Sequence, residues 1–541
     1  MKIVNIFSKK NVAVLILSFI VITALFLRVY KLDTVPPALS WDETAVGYNA
    51  YSIANYGYDE WGNLLPLVFK SFEDDKNPVH IYFTALSVKI LGLSDFSIRL
   101  PVAIFGTLNV LLIFFLAKEL FNKKIVSIFA ALFLAVSPYN LQFSRFNHEA
   151  NFALFFFMLG LFCFLKGVKS KNYLIIISFA SFGLSLLSYH SSKVVVPPII
   201  ILLIVLYFKQ LWRMKILMVI AIITLSIFMS AFALNPSLLG GARIKQTSLP
   251  QNLIKNTSIY MTTKNETLGF LEIVGEQYMA HFSWNYLFIS GDKNARHSIQ
   301  SVGEFYIVDL ILLIIGVLGL VISRSKAAII VLSWVVLAPI PAALSGGGNE
   351  APHAARALFM MGSMHLIAAY GLNFLLSLLK YLQLKYIALA IILLALGISF
   401  RSYILSYYND YPKRYAIEWQ YGYKQIGDFL RKNPNYSQVN ITDVRHQPYI
   451  FILYSQQVLL PDFVNTVNFN NTESRSYNLV SSFNQYHFGD WDFIESMPNV
   501  GVLYILTPSQ YDGLRHKLLF DVKELIKYPN GENAFFIITA K

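Results

Sequence analysis

The chain has 541 residues, of which 55% are hydrophobic and 14% charged, with a mean hydropathy of +0.51. A water-soluble chain of this length would cover its core with more charge, and the apolar residues here bunch into stretches of about 20, the length of a bilayer-spanning helix. The net charge of +13 sits mostly in short connections between those stretches; that is the pattern by which charge sets membrane topology, and it argues against nucleic acid as a partner.

The first apolar segment, Val12 to Val29, follows Lys2, Lys9 and Lys10 and has no small-residue cleavage site, so an uncleaved first helix is expected. About eleven membrane helices are expected, at 11–30, 98–117, 125–142, 150–166, 172–188, 194–208, 216–234, 306–322, 327–345, 355–377 and 384–400. The basic connections Lys118/Lys123/Lys124, Lys166/Lys169/Lys171, Lys209/Arg213/Lys215, Arg324/Lys326 and Lys380/Lys385 alternate with polar ones. This places the N-terminus in the cytoplasm of a multi-pass cell-membrane protein and, with an odd number of spans, the tail outside. The single cysteine, Cys163, lies in an apolar run and excludes an internal disulfide. No internal repeat suggests transporter-style inverted halves.

Residues 1–400 read as a membrane domain with large outer connections at 31–97 and 235–305. Residues 401–541 read as a soluble extracytoplasmic α/β domain. A helix is expected there at Tyr415–Arg431, with strands at Gln438–Thr442, Ile450–Leu453, Gly501–Leu506 and Ala534–Thr539. Within the first outer connection, Pro78 to Gly92 reads as a helix at the membrane interface.

Chemistry-bearing residues concentrate in the outer connections. Asp42 and Glu43 follow the first helix; one carboxylate there suits a base on an acceptor hydroxyl, the other an orienting group or a cation ligand. Glu73-Asp74-Asp75-Lys76 leads into Asn77-Pro78-Val79-His80, which gathers carboxylates, a lysine and a histidine ahead of a helix. Arg296 and His297, then His353 and Arg356, sit near the outer ends of helices, where an arginine fork fits a phosphate. Lys193 is a further phosphate candidate, and so is Arg145, although a plain ion pair with Glu149, four residues on, competes there. For each arginine the bland alternative is a snorkelling interfacial side chain. A divalent cation (magnesium, manganese or zinc) has candidate ligands in Glu43, Asp75, His80 and His297, although no spacing demands one.

In this order and on these sides of the membrane, the segments resemble the GT-C glycosyltransferases, in the group similar to dolichyl-phosphate-mannose protein mannosyltransferases and the lipid A aminoarabinose transferase. Asp42-Glu43 resembles the family's acidic signature, and Asp75-Lys76-Asn77-Pro78-Val79-His80-Ile81-Tyr82 its second motif, with Asn77 where members usually carry a first proline. Leu91 to Phe121, Ser137-Pro138-Tyr139 with Ser144-Arg145-Phe146, Gly291 to His297 and Pro352 to Arg356 are similar to further family segments, so the likeness spans about the first 370 residues. The resemblance implies a polytopic α-helical GT-C fold. It implies inverting transfer of one sugar from a polyprenyl-phosphate carrier to a hydroxyl acceptor (lipid, glycan or protein) on the outer face, with Asp42 as the base. A transporter or flippase of lipid-linked sugar competes, but predicts polar residues inside helices and related halves. An oligosaccharyltransferase moving a whole glycan competes within enzymes, but the tail has no Trp-Trp-Asp type motif.

Overall fold

The computed structural model describes residues 10–72, 74–240, 248–346, 351–471, 479–491, 494–496 and 498–541. Among them, eight helices are long and apolar enough to cross a membrane, from Asn11–Val29 to Leu382–Asn409. Four further apolar helices, Val79–Leu91, Lys124–Val136, Leu174–Ser188 and Ile307–Ser323, are shorter. The chain is a helical membrane protein. Lys2, Lys9 and Glu73 lie outside the described residues, as does the side chain of Asp74.

Each expected apolar segment is helical, and the boundaries move where proline acts. The segment 125–142 is two helices, Lys124–Val136 and Pro138–Phe143, because Ser137 leaves the helical region and caps the second with Pro138 at its first turn. The segment 327–345 breaks between Leu337 and Ile340, around Pro339. The helix expected from 355 begins at Met360, and the last one continues past its apolar run to Asn409, a rod of 28 residues.

The chain divides into two compact units. The first holds residues 1–30, 77–80 and 102–407. Here helix Glu149–Ser170 packs along Leu174–Ser188, and Ile307–Ser323 along Met360–Leu378. The latter pair approaches backbone to backbone: a Cβ on Gly371 would stand 2.0 Å from the carbonyl oxygen of Leu312. Small residues permit such contact in an apolar medium, where association relies on packing. Two buried arginines close the end of helix Lys10–Val29. Arg28 donates to the carbonyls of Ala24 (2.9 Å) and Ala135 (3.3 Å), and Arg145 to those of Leu27 (2.6 Å) and Tyr30 (2.8 Å). A helix C-terminus presents unpaired carbonyls and partial negative charge, and the guanidinium groups answer both.

The second unit holds residues 31–76, 81–101 and 408–541. Its core is a seven-stranded sheet made of β3 (Gln438–Thr442), β4 (Asn468–Phe469), β5 (Val480–Phe483), β6 (Tyr486–Gly489), β7 (Val502–Leu506), β8 (Phe520–Lys527) and β9 (Asn533–Ala540). The order is β4-β5-β6-β3-β7-β9-β8, with β3 parallel to both β6 and β7 and the remaining pairs antiparallel. Side chains alternate between two apolar layers: Leu503, Ile505, Phe535 and Ile537 enter one, Val502, Tyr504, Phe536 and Ile538 the other. Helix Tyr423–Lys432 covers the first layer through Tyr423, Ile426 and Leu430, and is shorter than the expected Tyr415–Arg431.

The expected strand at Ile450–Leu453 is instead part of helix Pro448–Ser455, fully buried along that run. A short, wholly apolar stretch carries no period to separate strand from helix, and Pro448 at the first turn decides it. The connection at 31–97 is not merely a loop. It contains helix Trp41–Tyr56, the small hairpin β1 (Phe69–Ser71) and β2 (Asp74–Lys76), and helix Val79–Leu91 at the place expected for an interfacial helix.

Candidate functional site

In the second unit, Asp42 and Glu43 occupy the first turn of helix Trp41–Tyr56. Ser40 caps that helix: its Oγ accepts from the Glu43 N–H (3.3 Å) while Glu43 Oε2 accepts from the Ser40 N–H (3.2 Å). This reciprocal arrangement favours an acid three residues past a serine, and the positive end of the helix suits both carboxylates.

The two acids then diverge. Glu43 is fully buried and bonded to Arg99, Nε to Oε1 at 2.9 Å and Nη2 to Oε2 at 3.1 Å. Arg99 also donates to the carbonyls of Leu32 (3.1 Å), Pro36 (2.9 Å) and Ala38 (2.5 Å), so all five of its donors are engaged. The side chain of Asp42 is 42% exposed and its Oδ1 lies 2.6 Å from the ammonium of Lys76, whose own side chain is 11% exposed. Glu43 therefore holds structure, which removes it from the metal candidates, while Asp42 presents a carboxylate to solvent beside a cation. Asp75 lies in β2 next to Lys76, opposite Lys70.

Beyond this pair the helix turns into a loop with two more buried acids, Asp59 and Glu60, which no local motif singles out. Asp59 Oδ1 accepts from the N–H groups of Trp61 (3.0 Å) and Asn63 (2.8 Å), a tight Asx turn. Glu60 is fully buried, and burial, aided by the neighbouring Asp59 charge, pushes its carboxyl up to about 8.

The first unit gathers a histidine cluster. His297 Nδ1 lies 2.8 Å from Asp292 Oδ2, which also accepts from the N–H of Ala354 (2.6 Å). The rings of His297 and His353 are 4.9 Å apart. His281 accepts at Nε2 from the His353 N–H (3.0 Å) and pairs at Nδ1 with the Gln277 carbonyl (2.8 Å); burial lowers its pKa and keeps it the neutral acceptor this requires. Glu304, behind Asp292 and accepting from its N–H (3.1 Å), is pushed well above the carboxylate range by burial and by Asp292.

Asp292, His297 and His353 each offer one ligand atom, all within 4.8 Å of one another. One oxygen and two imidazole nitrogens suit zinc or manganese better than magnesium. Of the sequence-derived metal candidates, only His297 enters this group. Asp292 opens with Asn294 an Asx turn, its Oδ1 accepting from the Asn294 N–H (2.8 Å), and the Gly291-Asp292 signal was present in the sequence without a role attached.

The remaining residues fall around the same unit. His80 Nε2 lies 3.7 Å from Glu149 Oε2 at the start of helix Glu149–Ser170. Lys193, in the first turn of helix Ser192–Trp212, contacts His190 Nδ1 (2.9 Å), Asn77 Oδ1 (3.5 Å) and the Leu238 carbonyl. Arg356 is half-buried and donates to Ser345 Oγ (3.3 Å), and Arg296 is half-buried on the loop that carries His297. Arg145 is a correction. It is 1% exposed and donates to the carbonyls of Leu27 and Tyr30, so it caps a helix end instead of standing open to a phosphate.

The bundle of membrane helices and the mixed-sheet domain have counterparts in solved structures. The chain aligns over 97% of its length, and 97% of the other, with ArnT from Cupriavidus metallidurans in the apo state, at a TM-score of 0.55 and 11% identity. The same enzyme bound to undecaprenyl phosphate also scores 0.55, over 98% of both chains at 12% identity. The apo oligosaccharyltransferase of Archaeoglobus fulgidus scores 0.51 at 15% identity, over 83% of this chain and 64% of that one. At these identities the likeness is one of fold.

In sequence, residues 75–233 match the dolichyl-phosphate-mannose-protein mannosyltransferase family model, as the motifs read above anticipate. Two relatives in Bacillus subtilis, the putative mannosyltransferases YycA and YkcB, are 30% identical over 179 residues and 26% over 164. These matches take in 33% and 30% of this chain and about a quarter of each relative (25% and 22%). Asp42 lies ahead of the family match.

Proposed function

We propose that the chain is an inverting glycosyltransferase that moves one sugar from a polyprenyl-phosphate carrier to a hydroxyl acceptor on the outer face of the membrane, with Asp42 as the base. The observation that carries this reading is the contrast within one helical turn. Glu43 is locked on Arg99, whereas Asp42 stands exposed at the helix start with Lys76 beside it. An acceptor hydroxyl gives its proton to the Asp42 carboxylate as its oxygen bonds to the anomeric carbon, and the bond to phosphate oxygen breaks with the pair leaving on phosphate. Phosphate departs as a stable anion and needs no acid.

Arg296, Arg356 and Lys193 are the cations we assign to the carrier phosphate, with His353 and His297 assisting. A divalent cation on Asp292, His297 and His353 would supply further positive charge. Asp74, Asp75, Lys76, His80 and Glu149 are assigned to the acceptor side. Eleven spans, a cytoplasmic N-terminus and an extracytoplasmic domain from residue 401 complete the proposal; the helical state of all eleven apolar segments supports the count.

Replacing Asp42 by asparagine tests the base. With the chain in lipid and a panel of polyprenyl-phosphate sugars, turnover should fall roughly 100-fold or more while donor binding persists. Near-normal turnover at saturating donor and acceptor would move the base elsewhere.

A further inference from the structure

A hollow of about 240 Å³ opens in the second unit, where two helices end beside the starts of two strands. Helix Tyr423–Lys432 stops at Asn433 and helix Pro448–Ser455 at Gln456, and both capping residues line the hollow. β3 and β6, paired in parallel from Val439 and Tyr486, supply those two residues to its wall. It shares no residue with the acids around Asp42 or with the histidine cluster. Pockets for drug-sized ligands run to about 300–1,000 Å³, so this one suits a single ring.

The lining is rich in amides, and each amide nitrogen is spent on the protein. Asn433 Nδ2 donates to the Phe429 carbonyl (2.9 Å), Gln456 Nε2 to the Gly427 carbonyl (3.0 Å) and Gln485 Nε2 to the Tyr486 hydroxyl (3.5 Å). These bonds orient the amides and leave three side-chain oxygens with no donor among the described residues. Arg431, the cation on this wall, is already committed to Asp428 and to the Ser455 carbonyl, so an anion finds little countercharge. The unused acceptors call for a ligand rich in donors, and the rings of Tyr436 and Tyr486 for one with an apolar face. A neutral pyranose has both, hydroxyl groups around its edge and C–H bonds on its face.

We propose that this hollow binds one neutral sugar residue, whose hydroxyl groups donate to the amide oxygens of Asn433, Gln456 and Gln485 while its C–H face packs on the tyrosines. No bond is made or broken there. The site holds a sugar-bearing ligand on the sheet domain, apart from the reacting groups. The inference does not rest on Asp42 as the base, and it would stand for a chain with a different reaction.

The test needs no turnover. Full chain in lipid nanodiscs is mixed with the methyl glycosides of glucose, galactose, mannose and N-acetylglucosamine, and binding is followed by saturation-transfer NMR. At least one glycoside should receive saturation, most strongly at its ring C–H protons. Gln456→Leu combined with Gln485→Leu removes two acceptors and should weaken that binding roughly tenfold or more. Asp42→Asn should bind as the parent does. Glucose 6-phosphate should bind no more tightly than methyl glucoside, because Arg431 is spent.

Absence of transfer to every glycoside overturns the proposal, as does equal binding by the parent and the double variant. Tighter binding of the phosphorylated sugar at this hollow overturns it too, since the ligand would then be an anion. If the double variant fails to fold, the exposed Asn433→Leu and the half-buried Tyr436→Ala take its place, and unchanged binding in both gives the same refutation. Loss of turnover in Asp42→Asn with no sugar bound here would leave the base standing and remove the site. An active Asp42→Asn with sugar bound here would do the reverse.

Discussion

Arg99 grips Glu43 with two of its five donors, at 2.9 and 3.1 Å, although the residues lie 56 positions apart and both are fully buried. The remaining donors hold three carbonyls of the segment from Leu32 to Ala38, so this ion pair fixes the approach to the helix that carries Asp42.

Removing either partner leaves a buried charge uncompensated. Arg99→Met should destabilise the chain by about 3–5 kcal/mol, and Arg99→Lys by nearly as much because the planar fork is lost. Thermal unfolding in detergent measures this; an unchanged midpoint for both variants would show that the pair carries no weight.

Glu43→Gln and Asp42→Asn should separate stability from chemistry. The first should lower the unfolding midpoint and, for the fraction that stays folded, keep most of its turnover. The second should keep the midpoint within a degree or two and lose turnover. Equal losses of turnover with equal midpoints would assign Glu43 a direct role.

If Asp292, His297 and His353 hold a metal, elemental analysis of the purified chain should find about one zinc or manganese per molecule. His297→Ala should lose it. Metal-free protein with full turnover after exhaustive chelation would remove a cation from the mechanism.

Glu60 makes stability depend on pH in a direction opposite to that of most carboxylates. Its pKa rises from 4.5 to about 8 on folding, so the native state holds a proton that the unfolded state releases. Stability is greatest below 4.5 and falls by up to about 1.4 kcal/mol per pH unit until Glu60 ionises in the folded chain near 8. Glu60→Gln should flatten that decline, with its advantage growing across the window. A parallel decline in both chains would contradict the assignment.

For topology, single cysteines near Asn5 and Asn433 in a Cys163-free background should respond oppositely to a membrane-impermeant thiol reagent in intact cells. Labelling at Asn433 and not at Asn5 is expected, and the converse would invert the orientation.

Much of the fold was legible because membrane helices announce themselves by length and composition, one segment at a time. Helix Trp41–Tyr56 was legible in principle, since Ser40 followed three residues on by Glu43 spells a capping box, but its acids drew attention away from its start. Arg99 as the partner of Glu43 was not legible, because no local pattern links positions 56 apart. Nor was the spending of Arg145 on carbonyls. An arginine at a helix boundary reads the same whether it meets a phosphate or a helix end. Asp292 shows the intermediate case, a residue inside a recognised motif whose partnership with two histidines only the folded chain reveals.

The second unit is assembled from the beginning and the end of the chain, and this imposes an order in time. The Tyr48 hydroxyl donates to the carbonyl of Val458, 410 positions later, at 2.9 Å. At roughly 5–20 residues per second, helix Trp41–Tyr56 waits on the order of 20–80 seconds after synthesis for the segment it packs against. During that interval Glu43, Glu60 and the apolar face of helix Trp41–Tyr56 are without their final surroundings, so a ribosome stalled late in the message would release a chain with its membrane helices laid down and its Asp42 helix unfinished.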